Sequence, residues 1–352
     1  MSEKLKIGII FGGKTAEAEV SLAGGRNVFN NIDQSKFVPV ALYWDRNFDF
    51  WEIPEVLIIR NTTKEIEERL AKLGEKIAYE KLKDLIDLAF LITHGKYGDD
   101  GCLQGLLELL RIPYTGSGVL ASALGMDKGV QRKIMAAYNN INIPKYQVIH
   151  INEWQKDESK IRKKIEKEFN FPLVIKPTRE GSTFGVTVVK DQDQLLSAIK
   201  EANKYDQEIL IEPYLLGREF SCIVVGNEDP QAFLPTETIH QDEIFTYNDK
   251  YLPGASNKIT PMEIEQGIIE EIQRQCVATF KALNCRNYAR IDGFVVDGKV
   301  YITDPNSAAS TGMGPSSWTF HQAAKAGFNI KDFLTRLIEL ALENHQNKKG
   351  PL

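Results

Sequence analysis

At 352 residues the chain is more than twice the roughly 150 residues of a single domain, so two or three cores are expected. Its 43 Lys and Arg against 48 Asp and Glu give a net charge of −5, which argues against a nucleic-acid backbone or an anionic membrane as main partner. Cys102, Cys222, Cys276 and Cys285 form no CxxC pair, and no apolar run reaches the roughly 18 residues of a membrane span, so a cytoplasmic protein with reduced thiols is expected.

Lys6–Phe11 reads as a buried strand closed by a Gly12-Gly13 turn, and too short for a signal peptide. A helix over Val20–Asn31 follows, then strands at Phe37–Trp44 and Ile86–Thr93, the last running into His94-Gly95. Strands separated by helical stretches predict an open, mostly parallel sheet, with ligands beyond the carboxyl ends of its strands. After Asp127 the texture changes. Helix Lys128–Tyr138 leads to strand Tyr146–Ile151, a charged helix Glu158–Phe169, and antiparallel strands Phe171–Pro177 and Val186–Lys190 around a glycine-bearing loop. Helix Gln194–Ala202 and strand Glu208–Glu212 complete this part. From Arg218 onward strands dominate (Glu219–Val225, Ala289–Val296, Lys299–Ile302), with helices at Glu263–Leu283 and Ile330–Asn344.

Three segments carry chemistry. In Lys176–Gly185 a strand-end lysine precedes Gly181, Ser182, Thr183 and Gly185, so backbone N–H groups and a point charge can meet a polyphosphate. It is no Walker loop, and alone it equally describes a hairpin with a polar loop. Asp292 and Asp304 fall on adjacent predicted strands about an Asp297-Gly298 turn, with Arg290 and Asn306 beside them. Such oxygens suit Mg²⁺ next to a triphosphate, and two surface aspartates flanking a turn would look the same. Glu212, followed by Leu215 and Glu219, could hold an adenine edge and a ribose hydroxyl, though sheet packing explains them as well.

Together, in this order, these pieces resemble the D-alanine–D-alanine ligases of the ATP-grasp superfamily. Phe11–Leu22 (FGGKTAEAEVSL) is similar to the family's GG-x-S-x-E-x-E-V-S signature, and His94–Lys128 is nearly continuous family sequence ending in MDK. KPTREGSTFGV matches the K-P-x-x-E-G-S-S-x-G loop and Asp249–Leu252 (DKYL) its Lys-Tyr step, so the likeness runs over roughly residues 5–345.

The resemblance implies an α/β, three-domain ATP-grasp ligase. Its expected parts are an N-terminal open parallel sheet (1–127), a central lobe (128–214) and a C-terminal lobe (215–352), the two lobes sandwiching ATP. It implies phosphorylation of a D-alanine carboxylate and capture by the amine of a second D-alanine, for peptidoglycan precursor synthesis, with two Mg²⁺ ions that Mn²⁺ can replace. Lys128, Lys176, Glu212, Leu215, Glu219 and Lys250 should bind ATP, and Asp292, Asp304 and Asn306 the metal. Glu17, with His94 near it, should hold the first ammonium, and Ser182 and Tyr251 should join Glu17 in a triad linking the lobes. Arg290 and the Gly312 N–H should stabilise the oxyanion, and a mobile loop over 246–261 should carry Lys250. A homodimer through the N-terminal domain is a further implication.

The sequence departs from the family at its metal segment. Where E-x-N-T-x-P-G-M-T is usual, this chain has Asp304–Gly314 (DPNSAASTGMG), a shorter acid and no Thr-x-Pro-Gly turn. Ser317 and Trp318 fall where the family places a serine and a leucine against the second substrate, so with the Asp304–Trp318 segment rebuilt the alternative is an ATP-grasp ligase with a different second amino-acid substrate, or with both different. Tyr251, in place of the histidine of the lactate-using resistance ligases, favours an amine nucleophile.

Overall fold

The structure, a computed structural model, describes residues 4–15, 17–181, 183–239, 257–306 and 311–347. Three sheets follow one another along the chain. The first contains β1 (Leu5–Gly12), β2 (Phe37–Trp44), β3 (Phe50–Glu52), β4 (Glu75–Ile77) and β5 (Leu88–Leu91), in the order β4-β3-β2-β1-β5. β1 runs parallel to both β2 and β5, whereas the short β3 and β4 are antiparallel. The uninterrupted apolar run of β1 is explained by burial on both faces. Ile7, Ile9 and Phe11 enter one core, and Ile10 points to the opposite one with Leu103 and Leu107.

The second sheet orders β6 (Gln147–His150), β7 (Leu173–Pro177), β8 (Thr187–Val189) and β9 (Glu208–Pro213) as β6-β9-β7-β8, all antiparallel. Ile149, Leu173, Ile175, Ile209 and Ile211 pack beneath helices Glu158–Glu168 and Leu195–Ala202. The two-residue side-chain period turns Val174, Lys176, Leu210 and Glu212 to the other face. The third sheet comprises β10 (Arg218–Gly226), β11 (Gln231–Ala232), β12 (Thr236–Ile239), β13 (Asn257–Ile259), β14 (Asn287–Val296) and β15 (Lys299–Asn306), antiparallel, with β10 and β14 at its centre. Phe220, Cys222, Val224, Ala289, Ile291 and Val295 pack on helix Gln266–Ala282, which leaves Glu219, Ser221, Arg290 and Asp292 on the reverse side.

The last helix, Ile330–Gln346, is amphipathic. Phe333, Leu334, Leu337, Ile338 and Ala341 join the core that also holds Ile7, Phe11, Leu22 and Val28 of the first sheet and its helix Ala18–Asn31. Several predicted elements differ in extent. The strand expected over Ile86–Thr93 is shortened to Leu88–Leu91, the one over Tyr146–Ile151 stops at His150 because Ile151 opens helix Ile151–Lys156, and helix Lys128–Tyr138 ends at Met135.

Gly293 marks the tightest point in the third sheet. A Cβ there would lie 2.6 Å from the Phe220 ring and closer still to the Tyr301 carbonyl oxygen. Gly293→Ala is therefore expected to cost about 1–3 kcal/mol of stability through forced displacement of the central strands. A urea midpoint equal to that of the unaltered protein would count against this packing.

Candidate active site

The free faces of the second and third sheets enclose a cavity of about 290 Å³. Its walls include Lys128, Lys176, Glu212 and Leu215 on one side and Glu219, Arg290, Asp292, Asp304, Asn306 and Trp318 on the other. Thus ten of the residues singled out in the sequence share one cavity.

The β14–β15 hairpin sets the acidic wall. Asp297 and Gly298 both have positive φ (49° and 74°), the geometry of a two-residue turn that matches strand twist. Register then places Asp292 opposite Asp304 and Arg290 opposite Asn306. A bulge between Asp292 and Gly293 absorbs Thr303, and bulges next to sites re-aim side chains in this way. Pro305 is accommodated because β15 is an edge strand. The Asp292 carboxylate accepts hydrogen bonds from the Arg290 guanidinium (Nε at 3.0 and 3.1 Å), from Asn306 Nδ2 at 2.9 Å and from the Ser221 hydroxyl. Two carboxylates and a carboxamide are hard oxygen donors of the kind that hold a small divalent cation whose remaining positions go to phosphate and water. Among the described residues no three His, Cys, Asp or Glu side chains form a closed cage, so any such ion would depend on oxygens from outside the protein.

Opposite lies a buried charge cluster. The Lys176 ammonium is 3.1 Å from Glu212 Oε2 and 3.5 Å from Asp304 Oδ2, bridging the two sheets. Glu212 receives a second cation, Arg132 of helix Lys128–Met135, on its other oxygen. Burial alone would raise the Glu212 carboxyl pKa, but Arg132 and Lys176 outweigh it and hold the group below the usual carboxylate range. Arg132 was not singled out in the sequence. Its spacing of four from Lys128, which puts both on one helix face, was the available signal. The same helix is tied to β15 by Gln131, whose amide donates to Pro305 O at 3.1 Å, and Lys128 Nζ donates to Glu180 O at 2.6 Å in the glycine loop.

The first sheet contributes its loop ends. Glu17 is the N-cap of helix Ala18–Asn31 but makes no side-chain capping bond, and its Oε2 lies 3.6 Å from where a Cβ on Gly181 would stand. His94 follows β5, is 4% exposed, and its Nε2 has no hydrogen-bond partner among the described residues. Burial pushes its pKa below the ordinary imidazole value, with Glu17 opposing and Arg290 reinforcing the shift. Because the folded pKa is depressed, stability is intact above the unfolded value of about 6.5 and falls as pH drops below it, by at most about 1.4 kcal/mol per pH unit. His94→Asn should flatten that acid limb. Urea midpoints at pH 7.5 and 5.5 measure it, and an unchanged pH slope would refute the buried neutral imidazole.

Beyond β15 the loop ahead of helix Trp318–Lys325 is clamped on both sides. Gly312 O accepts the Ser317 hydroxyl and, at 3.1 Å, that of Thr319, while Met313 O accepts Asn27 Nδ2 at 2.9 Å. Asn27 thus ties the Gly312 loop to the helix beginning at Glu17, a contact between positions 286 apart that the sequence does not signal. Ser317, expected to face the second substrate, also caps its own helix. Trp318 is 8% exposed, with the Arg290 guanidinium 5.1 Å and the Lys258 ammonium 4.8 Å from its ring centroid. Ser182, Lys250 and Tyr251 lie outside the described residues, as does 246–256 of the expected mobile loop. Its remainder departs from a loop, since Asn257–Ile259 is β13, paired with Glu237–Ile239 of β12.

Two sheets gripping a cavity with lysines on one wall and a carboxylate hairpin on the other are the arrangement expected of an ATP-grasp enzyme, and the comparisons place the chain among ATP-dependent carboxylate–amine ligases. Two family models match the chain, "D-ala D-ala ligase N-terminus" over residues 6–117 and "D-ala D-ala ligase C-terminus" over 135–339. The chain belongs to the D-alanine–D-alanine ligase family.

Among its relatives, a D-alanine–D-alanine ligase of Geobacillus thermodenitrificans is 35% identical over 358 residues, covering 98% of both chains. One of Pelotomaculum thermopropionicum is 35% identical, covering 97% of this chain and 98% of the relative. Of solved structures, the VanG D-Ala:D-Ser ligase of Enterococcus faecalis superposes with a TM-score of 0.85 at 29% identity, covering 96% of this chain and all of that one. The ATP complex of the Bacillus anthracis D-alanine–D-alanine ligase gives 0.74 at 29% identity, covering 98% and 100%.

Proposed function

We propose that the protein joins two D-alanines in an ATP- and Mg²⁺-dependent reaction, supplying D-alanyl-D-alanine for peptidoglycan precursors and so for cell shape. The observation that carries this reading is the convergence of Lys176, Arg290, Asp292 and Asp304 on one cavity. Lys176, Arg290 and Arg132 balance Asp292, Asp304 and Glu212 in charge, so an incoming triphosphate needs cations of its own. Mg²⁺, with Mn²⁺ as substitute, suits the hard oxygens of Asp292, Asp304 and Asn306, and when bound it would neutralise charge on the transferring phosphoryl.

In this reading Lys128, Lys176 and Lys250 hold the phosphates, Glu212 and Leu215 border the adenine, and Glu219 meets the ribose. Glu17 holds the ammonium of the first D-alanine, with His94 behind it, and orients its carboxylate toward the γ-phosphorus. A carboxylate oxygen bonds to that phosphorus as the bond to the ADP oxygen breaks. The second amine then attacks the carbonyl carbon of the acyl phosphate. Arg290 and the Gly312 N–H meet the oxyanion, phosphate leaves, and the amine releases a proton. Ser182 and Tyr251 complete a hydrogen-bonded closure that keeps water from the acyl phosphate. The lobes divide at residues 127 and 214, the location is cytoplasmic, and a homodimer forms through the N-terminal part. No helix among the described residues is long and apolar enough to cross a membrane.

A second reading, with another amino acid as acceptor, is favoured by Trp318, whose indole narrows the space where family members have leucine. One experiment decides between them. Purified protein is given Mg-ATP and D-alanine, alone and with D-serine or a pool of D- and L-amino acids, and the products are identified by mass spectrometry. D-alanyl-D-alanine is the expected product. A mixed dipeptide would select the second reading, and neither phosphate release nor dipeptide would refute both.

A further inference from the structure

Arg132 sits in the middle of helix Lys128–Met135, yet its side chain has no exposed surface. Among the described residues its side chain has Glu212 as hydrogen-bond partner through Nε, and both Nη atoms are buried with none. It is not on the cavity wall. A guanidinium buried with two idle nitrogens is costly to keep, and such groups call for an explanation in the site they serve.

The explanation lies in what Lys176 is asked to do. Its ammonium is shared between Glu212 at 3.1 Å and Asp304 at 3.5 Å. If Lys176 serves the phosphates, as the proposed function has it, an entering nucleotide draws its ammonium away and loosens its hold on Glu212. The Glu212 side chain is 5% exposed, so only the cavity side offers it a replacement partner. Without another cation the carboxylate would take up a proton or swing away. Arg132 contacts the opposite oxygen, cannot lose its own proton, and has no room to leave.

We propose that Arg132 is a positioning residue for purine selection: by holding Glu212 ionised and fixed while Lys176 serves the phosphates, it makes that carboxylate an acceptor for the 6-amino group of adenine. The proposal rests on the reading of Glu212 as the adenine partner. A fixed anion there favours a 6-amino donor and repels the 6-oxo group of hypoxanthine. Nothing in the arrangement bears on D-alanine, so the effect should be confined to nucleotide.

The test is a cycle of Arg132→Met, Glu212→Gln and the double variant, read by displacement of a fluorescent ATP analogue with ATP or ITP, which needs no ligation. Arg132→Met should lower the ATP-over-ITP preference at least about tenfold, and Arg132→Lys should restore part of it, with the KM for D-alanine at saturating ATP unchanged. In the Glu212→Gln background the Arg132 substitution should have no further effect on that preference. This last comparison involves no uncompensated carboxylate and stands even if Arg132→Met alone fails to fold. An undiminished preference in folded Arg132→Met, or a further loss in the double variant, overturns the role of Arg132. If Glu212→Gln itself leaves the preference untouched, the reading of Glu212 fails instead.

Discussion

Replacing Arg290 by methionine is expected to lower kcat by about 10²–10³, the usual result of removing one donor from an oxyanion site. The side chain is 12% exposed and is fixed from two directions, by the Asp292 carboxylate at 3.0 Å and by the Trp318 ring. In the proposed function a cation so held would already be in place when negative charge develops on the carbonyl oxygen, with no reorganisation needed. Methionine keeps much of the volume against the indole but supplies no donor. The substitution also leaves the Asp292 carboxylate with the Ser221 hydroxyl and the Asn306 amide as its hydrogen-bond partners among the described residues, so a moderate loss of stability should accompany the loss of rate. Single-turnover kinetics would separate the steps. Acyl phosphate formation and amine capture should both slow, and a kcat within a factor of two of the unaltered enzyme would remove Arg290 from the chemistry.

The second large effect is expected at Asp304. Asp304→Asn removes one of the two carboxylates facing the phosphates and should cut kcat by about 10²–10⁴, the range of several kcal/mol of charge stabilisation. It should also raise the Mg²⁺ concentration needed for half activity, whereas a merely structural aspartate would leave that titration in place. Lys176, 3.5 Å from Asp304, would lose one of its two carboxylate partners, so its ammonium should be freer to meet a phosphate and nucleotide binding should survive. Asp304→Glu, which supplies the acid usual in the family, should keep most of the activity because the edge strand gives the longer side chain room. An unaltered Mg²⁺ dependence in Asp304→Asn would show that the hairpin is not where the cation is held.

Much of this arrangement was legible because local signals and tertiary demands coincide. The run Phe37–Trp44 is β2 residue for residue, since a fully apolar strand flanked by turn residues has few alternatives. The Asp297-Gly298 turn announces the hairpin and brings the two aspartates near one another, but by itself it sets Asp292 opposite Thr303, and the bulge that puts Asp304 there has no signal in the sequence. The loop after Lys176 and the His94 segment were legible only through the resemblance, because a glycine loop alone fits many uses. What escaped were contacts between remote segments. Arg132 looks like one more charge on a mixed helix, and its partner Glu212 is 80 positions away. Asn27 holding Met313 is invisible for the same reason. The short β3 and β4 also escaped, because three-residue edge strands lack enough alternation to register.

The position of helix Ile330–Gln346 has a consequence for how the chain is made. It packs with Ile7 and Phe11 of the first sheet and with Leu22 and Val28 of that sheet's helix, yet it leaves the ribosome long after β1, β2 and β5. Strands β1, β2 and β5 can pair early, but their greasy side must wait for that distant helix before it is shielded from water. A nascent chain stalled before residue 330, or a premature stop there, would present that surface to chaperones and proteases, and loss of the tail would be felt as loss of protein before any change in turnover.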